Sequence, residues 1–221
     1  MKYSDIALKV LVAKELGLIK SNAQFATDFS EQDNFLETIS QSKNVEKATG
    51  NVINQYLNDN EDEGFICAYD KEFPIINITV KNSDKPYLLF YKGDLSLLKD
   101  LNKNVAVIGL TDPTPQIEKR EIEVVSRLVN SKIAVVSGLA KGCDAIAHKV
   151  CMDCNGKTIA ILPSQISKIT PAVNKNLAKC IFEKGGLLLT EYYKDPNGRQ
   201  DAIGRFIERD RLQAMFSKVV I

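Results

Sequence analysis

From residue 104 onward the chain repeats one phrase: a short apolar run without alternation, a turn, then a helix-length segment with apolar residues three or four apart. The runs are NVAVIG at 104–109, KIAVVSG at 132–138, KTIAILP at 157–163, GLLLTEYY at 186–193 and SKVVI at 217–221. Between them QIEKREIEVVSRLVN at 116–130, CDAIAHKVCMDCN at 143–155 and PAVNKNLAKCIFEK at 171–184 read as amphipathic helices. NGRQDAIGR at 197–205 reads as a polar loop ahead of a last helix, FIERDRLQAMF at 206–216. Strands that are apolar on both faces must be covered on both faces. The expectation is therefore an α/β fold: a Rossmann-like, open, mostly parallel sheet of five strands with helices on both faces and right-handed crossovers. Ligands of such sheets bind beyond the carboxyl ends of the strands, so the informative residues are those that follow each run.

The chain ahead of this region differs. Ile6, Val10, Ala13, Leu16 and Ile19, then Phe35, Ile39, Val52, Ile53, Tyr56 and Leu57, recur at helical spacing and predict a small helical module over residues 1–64, closed by an acidic linker NDNEDEG at 58–64. Residues 65–221 form the second expected domain, in which 65–100 flanks the sheet and Tyr87–Tyr91 reads as a strand. The net charge of +1 hides a split: residues 1–66 hold 6 Lys/Arg against 11 Asp/Glu, and residues 67–221 hold 23 against 17. Only charge placement decides whether a basic face exists. No run approaches the roughly 18 uninterrupted apolar residues of a membrane helix, and Asp5, Lys9, Lys14 and Glu15 interrupt the N-terminus, so the expected setting is the cytoplasm, with no membrane partner. Five irregularly spaced cysteines predict buried thiols and no disulfide.

GLTDPT at 109–114 lacks the glycine patterns of nicotinamide-cofactor and ATP sites; Gly109 permits close backbone approach, while Thr111 or Thr114 contacts an anion or caps a helix. SGLAKG, from Ser137 through Gly138 and Lys141 to Gly142, brackets a lysine with glycines before a helix, a pattern whose N–H groups can cradle phosphate. Asp144 fits a helix start or a loop clamp, and His148 a satisfied structural histidine. His148, Cys151 and Cys154 at intervals of three raise zinc, but buried thiols explain the same spacing. After the third run, Thr170 and Pro171 suit a helix start, and Ser164, Ser167, Lys168 and Asn174 are polar candidates. Arg199, Arg205, Arg209 and Arg211 form a basic cluster beside Tyr192, Tyr193 and Phe206, whose rings suit stacking on unpaired bases, with Glu208 and Asp210 as competing ion-pair partners. No catalytic residue, metal or cofactor is assigned.

Taken in order, YLLFYKGDLSLL, VAVIG, SGLAKGCDAIAH, GKTIAILPS, the Pro171–Asn174 region, GGLLLTEY and FIERDR resemble the DprA/Smf family, the DNA-processing protein A family, over about residues 65–221. The resemblance implies a nonenzymatic recombination mediator that binds single-stranded DNA, helps load a RecA-type recombinase during DNA uptake or transformation, and forms a homodimer. It implies DNA contacts at Lys141, Lys157, Lys168 and Asn174, with Arg199, Arg205, Arg209 and Arg211 near the pocket. The chain departs from the family pattern at Thr111, where arginine is usual, at Thr170 and Ala172, where tyrosine and lysine are usual, at Gln165 in place of glycine, and at Ile207 and Asp210 in the FPxRNR motif. Family members continue beyond SKVVI, so the resemblance leaves two expectations for the C-terminal end, a fragment of a longer member or a shortened relative. Two further readings stand beside this one: a small-nucleotide sensor or processing enzyme using the Gly138–Gly142 loop, and a degenerate protein-interaction module.

Overall fold

The computed structural model describes residues 1–57 and 60–221, so the first two residues of the expected 58–64 linker lie outside the described residues. The chain divides into two compact units, residues 1–73 with 78–90, and residues 74–77 with 91–221. Together they make a mixed α/β fold in which a helical module precedes a sheet flanked by helices.

In the first unit four helices, α1 (Asp5–Glu15), α2 (Asn22–Asp28), α3 (Gln32–Ser40) and α4 (Val45–Tyr56), precede strand β1 (Glu63–Cys67); β2 (Leu88–Gly93) starts in this unit and ends in the second. Helix α1 begins at Ser4, whose hydroxyl accepts the Ala7 N–H at 3.0 Å, and Asp5 adds a negative charge at the positive end of the helix dipole. Val10, Ala13, Ile19, Phe35, Ile39 and Val52 are buried as their spacing predicts, whereas Ile53 is 41% exposed. The unit closes around aromatic rings, with Phe25 against Tyr87 (4.7 Å between centroids) and Tyr69 (5.3 Å), and Phe29 edge-on to Phe35 (5.8 Å).

In the second unit strands and helices alternate: β3 (Asn104–Ala106), α5 (Pro115–Asn130), β4 (Ala134–Ser137), α6 (Cys143–Asp153), β5 (Thr158–Ile161), α7 (Lys175–Glu183), β6 (Leu187–Thr190), α8 (Arg199–Met215) and β7 (Val219–Val220). The order is β6-β5-β4-β3-β7 and all four pairings are parallel, registered by Ala160↔Leu188, Val136↔Ile159, Val105↔Val135 and Val105↔Val219. Each step from β3 to β6 moves to the next neighbour. The chain then returns past β3 to place β7, and strand order reverses there. Val125 of α5 and Ala147 and Cys151 of α6 cluster with Val107 and Val135. Met152 of α6 and Ala178 and Ile181 of α7 cluster with Ala160, Leu162 and Leu188. Burial of each large aliphatic side chain contributes roughly 1.5–3 kcal/mol. Helix α8 packs on β5 and β7.

Two helix starts differ from the sequence expectation. Helix α8 begins at Arg199, inside the segment read as a polar loop: the Asp201 carboxylate accepts the Asn197 N–H at 2.7 Å and pairs with Arg205 one turn later at 3.0 Å, so polar residues build the first turns. At 171–184 the regular helix starts only at Lys175, after a 3-10 turn over Ala172–Asn174, and Thr170 does not cap it. Thr114 does cap α5, accepting the Ile117 N–H, with Pro115 at the first helical position.

Candidate nucleic-acid interface

The loops at the carboxyl ends of β3, β4 and β5 lie at the edge where the fold predicts a ligand, and their internal bonding defines what they can do. Ser137 ends β4 fully buried, its hydroxyl donating to Val107 O at 2.7 Å. Beyond it the N–H groups of Gly138 and Ala140 both donate to Asp144 Oδ2, each at 3.1 Å. Asn174 holds the same loop from the other side, its Nδ2 donating to Leu139 O at 2.9 Å and Ala140 O at 3.0 Å. Arg209 completes the clamp from α8: its Nη1 lies 3.7 Å from Asp144 Oδ2 and donates to Ile161 O at 3.3 Å.

The glycines serve this packing. A Cβ on Gly138 would lie 1.2 Å from Arg209 Nη1, and one on Gly142, at φ +73°, would lie 2.3 Å from Leu110 O. Gly109 likewise makes room for Cys143 Sγ, and the Cys143 N–H donates to Leu110 O at 2.9 Å. The anion held by this glycine loop is therefore a carboxylate of the chain itself. Asp144 acts as the loop clamp, and the N–H groups of Gly138 and Ala140 that a phosphate cradle needs are already bonded. Lys141, at the tip of the loop, is exposed and makes no ion pair or side-chain hydrogen bond among the described residues.

Burial shapes the titration of the clamp. It raises the Asp144 carboxyl against the opposing pull of the Ala140 N–H and the Arg209 guanidinium, and it lowers Arg209 despite Asp210 and Asp144 nearby. His148 is fully buried on α6, its Nδ1 2.7 Å from Thr158 Oγ1, and desolvation with some repulsion from Arg209 pulls it down to about 3. It is a neutral core histidine. Cys151 Sγ donates to Lys157 O and Cys154 is exposed, so the three residues at spacing three point to different partners. Among the described residues no group of three or more His, Cys, Asp or Glu is arranged to hold a metal ion.

The arginine cluster is mostly internal. Arg205, 8% exposed, donates to Lys194 O at 2.8 Å, Asp195 O at 3.2 Å and Asp201, and its guanidinium covers the Tyr192 ring at 4.4 Å. Arg209 is 3% exposed, with Asp210 3.2 Å from its Nε and its guanidinium 5.9 Å from the Phe206 ring centroid. Arg211 pairs with Glu191. Arg199, the first residue of α8, is exposed and unpaired among the described residues. Sequence reasoning named Glu208 and Asp210 as competitors. The structure gives Glu208 to the Tyr192 hydroxyl at 2.7 Å and brings in Asp201 and Glu191, whose positions on neighbouring turns and on the strand exit carry the missed signal. Burial and Glu208 push the Tyr192 hydroxyl up. Tyr193 is half-buried with the Lys194 ammonium 5.4 Å from its ring, and Phe206 is half-buried.

The remaining candidates separate. Thr111 is exposed on the loop after β3. Lys168 stands in the loop after β5, bound at 2.9 Å to Asp195, which also accepts from Gln165 at 3.0 Å; Lys168 lowers the Asp195 carboxyl. Ser164, in the same loop, is 9% exposed and its Oγ has no hydrogen-bond partner among the described residues. Lys175, not singled out from the sequence, opens α7 exposed and unpaired among the described residues. Lys157 does not join the others: it immediately precedes β5, at the amino edge of the sheet, and its Nζ donates to Lys184 O at 2.9 Å.

A family model described as DNA recombination-mediator protein A matches residues 64–221. Protein Smf of Synechocystis sp. is 32% identical over 187 residues, covering 81% of this chain and 46% of that protein. DNA processing protein DprA of Streptococcus pneumoniae is 38% identical over 138 residues, covering 62% of this chain and 46% of that protein. The chain thus spans less than half the length of these two curated relatives. Among solved structures, the X-ray structure of DprA from Streptococcus pneumoniae superposes with a TM-score of 0.64 at 25% identity, over 100% of this chain and 77% of that one. The structure of DNA processing protein A from Helicobacter pylori, described for its single-stranded DNA binding mode, gives a TM-score of 0.56 at 32% identity, over 72% of this chain and 67% of that one.

Proposed function

The chain belongs to the DprA/Smf family of DNA-processing proteins, and on that premise we propose that it binds single-stranded DNA at the carboxyl edge of its parallel strands and acts as a recombination mediator. The observation that carries the reading is the family match across residues 64–221. The geometry supports it with a loop that Asp144, Asn174 and Arg209 hold in one conformation while Lys141 points out. Arg199 and Lys175 supply further cations, Lys168 stands beside them in its pair with Asp195, and the buried Ser164 hydroxyl is a donor with no partner among the described residues. Lysine and arginine contacts to phosphates release counterions and make binding salt-dependent, and half-buried Tyr193 offers a ring to an unpaired base. Arg205, Arg209 and Arg211 act one step back, shaping the surface.

The same premise carries the rest of the family assignment. We infer a Rossmann-like arrangement, because right-handed crossovers put α5, α6 and α7 on one face and the returning connection puts α8 on the other. Residues 1–64 would be an accessory domain and 65–221 the DNA-binding one. RecA-type recombinase loading, homodimer formation and a cytoplasmic place of action rest on the family resemblance alone. The test is fluorescence anisotropy of a labelled poly-dT oligonucleotide across salt concentrations, with duplex DNA as competitor. Saturable, salt-sensitive binding that duplex displaces poorly is the expected outcome. Absence of binding at low salt by folded protein overturns the reading.

A further inference from the structure

The opposite edge of the same strands carries charge that the DNA reading leaves unused. At the amino ends of β3, β4 and β5 the second unit opens into a cleft of about 730 Å³, within the size range of nucleotide and cofactor sites. Its lining holds Lys99, Lys103, Lys132 and Lys157 against a single carboxylate, Asp100.

Lysines at such an edge often answer the negative ends of helices. Here α5 and α6 close their own ends. Lys132 and Asn155 adopt left-handed backbone (φ +60° and +58°). The N–H groups of Ser131, Lys132 and Ile133 return to the last carbonyls of α5, and those of Cys154, Asn155 and Gly156 to the last carbonyls of α6. Lys157 does cap a helix, through Lys184 O at the end of α7, and Lys103 lies 3.8 Å from Asp100 in an exposed, weak pair. The Lys99 and Lys132 ammonium groups have neither role and no partner among the described residues. The lining contains a second unanswered group. Asn104 is fully buried, donates its Nδ2 to Leu97 O at 2.9 Å, and leaves Oδ1 with no hydrogen-bond partner among the described residues.

We propose that this cleft is a second phosphate-ligand site that takes a nucleotide. Lys99 and Lys132 bind phosphate oxygens, half-buried Leu97, Val129 and Ile133 supply apolar contact for the base, and Asn104 Oδ1 accepts from a base or sugar donor. The same chemistry comes from a free nucleotide or from one unit of a DNA strand. The inference does not depend on DNA binding at the carboxyl edge, because none of its residues lies there.

The cleft contains its own reporter. Cys154 lines it and is exposed, and Cys180, also exposed, lies on α7 outside the lining. Alkylation of both thiols in the full chain by N-ethylmaleimide at low ionic strength, followed by peptide mass spectrometry, reads occupancy locally. ATP or a dT oligonucleotide is expected to slow Cys154 several-fold and leave Cys180 unchanged. The K99E/K132E variant, both positions being exposed, is expected to keep its circular-dichroism melt and lose that protection. Protection by ATP identifies a free nucleotide as a source, and protection by the oligonucleotide alone identifies DNA. An unchanged Cys154 rate with both ligands, or equal protection in the variant, overturns the proposal.

Discussion

The two edges of one parallel sheet use their cations in opposite ways. At the carboxyl edge the densest positive cluster in the sequence, Arg205, Arg209 and Arg211, is bonded to the chain's own carboxylates and carbonyls. At the amino edge Lys99 and Lys132 stand around a cleft without partners among the described residues. The side-chain chemistry explains the division. A planar guanidinium with five donors can satisfy several acceptors at once and so tolerates burial, whereas a hydrated ammonium on a flexible stem stays at the surface. Charge counted along a chain is therefore not charge available to a ligand. At the carboxyl edge Lys141 and Arg199 remain exposed, Lys141 on a loop that Asp144, Asn174 and Arg209 hold.

Substitutions separate the two edges by size of effect. Arg209→Ala removes the guanidinium that packs on Gly138 and faces Asp144, leaving a buried carboxylate without its ion-pair partner. Chemical denaturation is expected to show a loss of about 3–5 kcal/mol. A loss below about 1 kcal/mol would mean that the clamp is not structural, the range of an ordinary surface change. Gly138→Ala drives a methyl into the same guanidinium and is expected to cost about 1–3 kcal/mol by the same measurement. At the amino edge Lys99→Ala removes no ion pair or side-chain hydrogen bond among the described residues, and its expected change is within about 0.5 kcal/mol.

Between the edges, His148 gives a pH signature. Its folded value, down to about 3, lies below the ordinary 6.5, so the neutral ring favours the folded state. That stability is fully present above pH 6.5 and is lost as pH falls from there toward about 3, with a slope approaching ~1.4 kcal/mol per pH unit. Comparing urea midpoints of the parent and His148→Gln across this window isolates the contribution. An equally steep profile in the variant would assign the acid sensitivity to carboxylates instead.

The parallel strands of the second unit were legible because non-alternating apolar runs and amphipathic spacing report burial directly, and Thr114 with Pro115 marked a helix start. The start of α8 was not, because Asp201 and Arg205 are polar residues that build a helix through bonds to Asn197 and to each other, which hydrophobic periodicity does not register. At the site, Asp144 as a clamp and His148 as a core residue follow from the sequence. The use of Gly138 and Gly142 for protein packing does not, since a glycine that admits a phosphate and one that admits a guanidinium or a carbonyl look the same in a sequence. Lys157, which the family resemblance put among the DNA contacts, stands at the amino end of β5, because a residue that borders a strand carries no mark in the sequence of which sheet edge it faces.

The central claim is that the carboxyl edge is a rigid scaffold presenting a few free cations to single-stranded DNA. Poly-dT affinity measured against salt for the parent chain and for Lys141→Ala/Arg199→Ala tests it most directly. The account predicts weaker binding and a salt slope smaller by about 1.4, from two lost phosphate contacts, with the melting profile unchanged. Identical affinity and slope in a folded variant would contradict it.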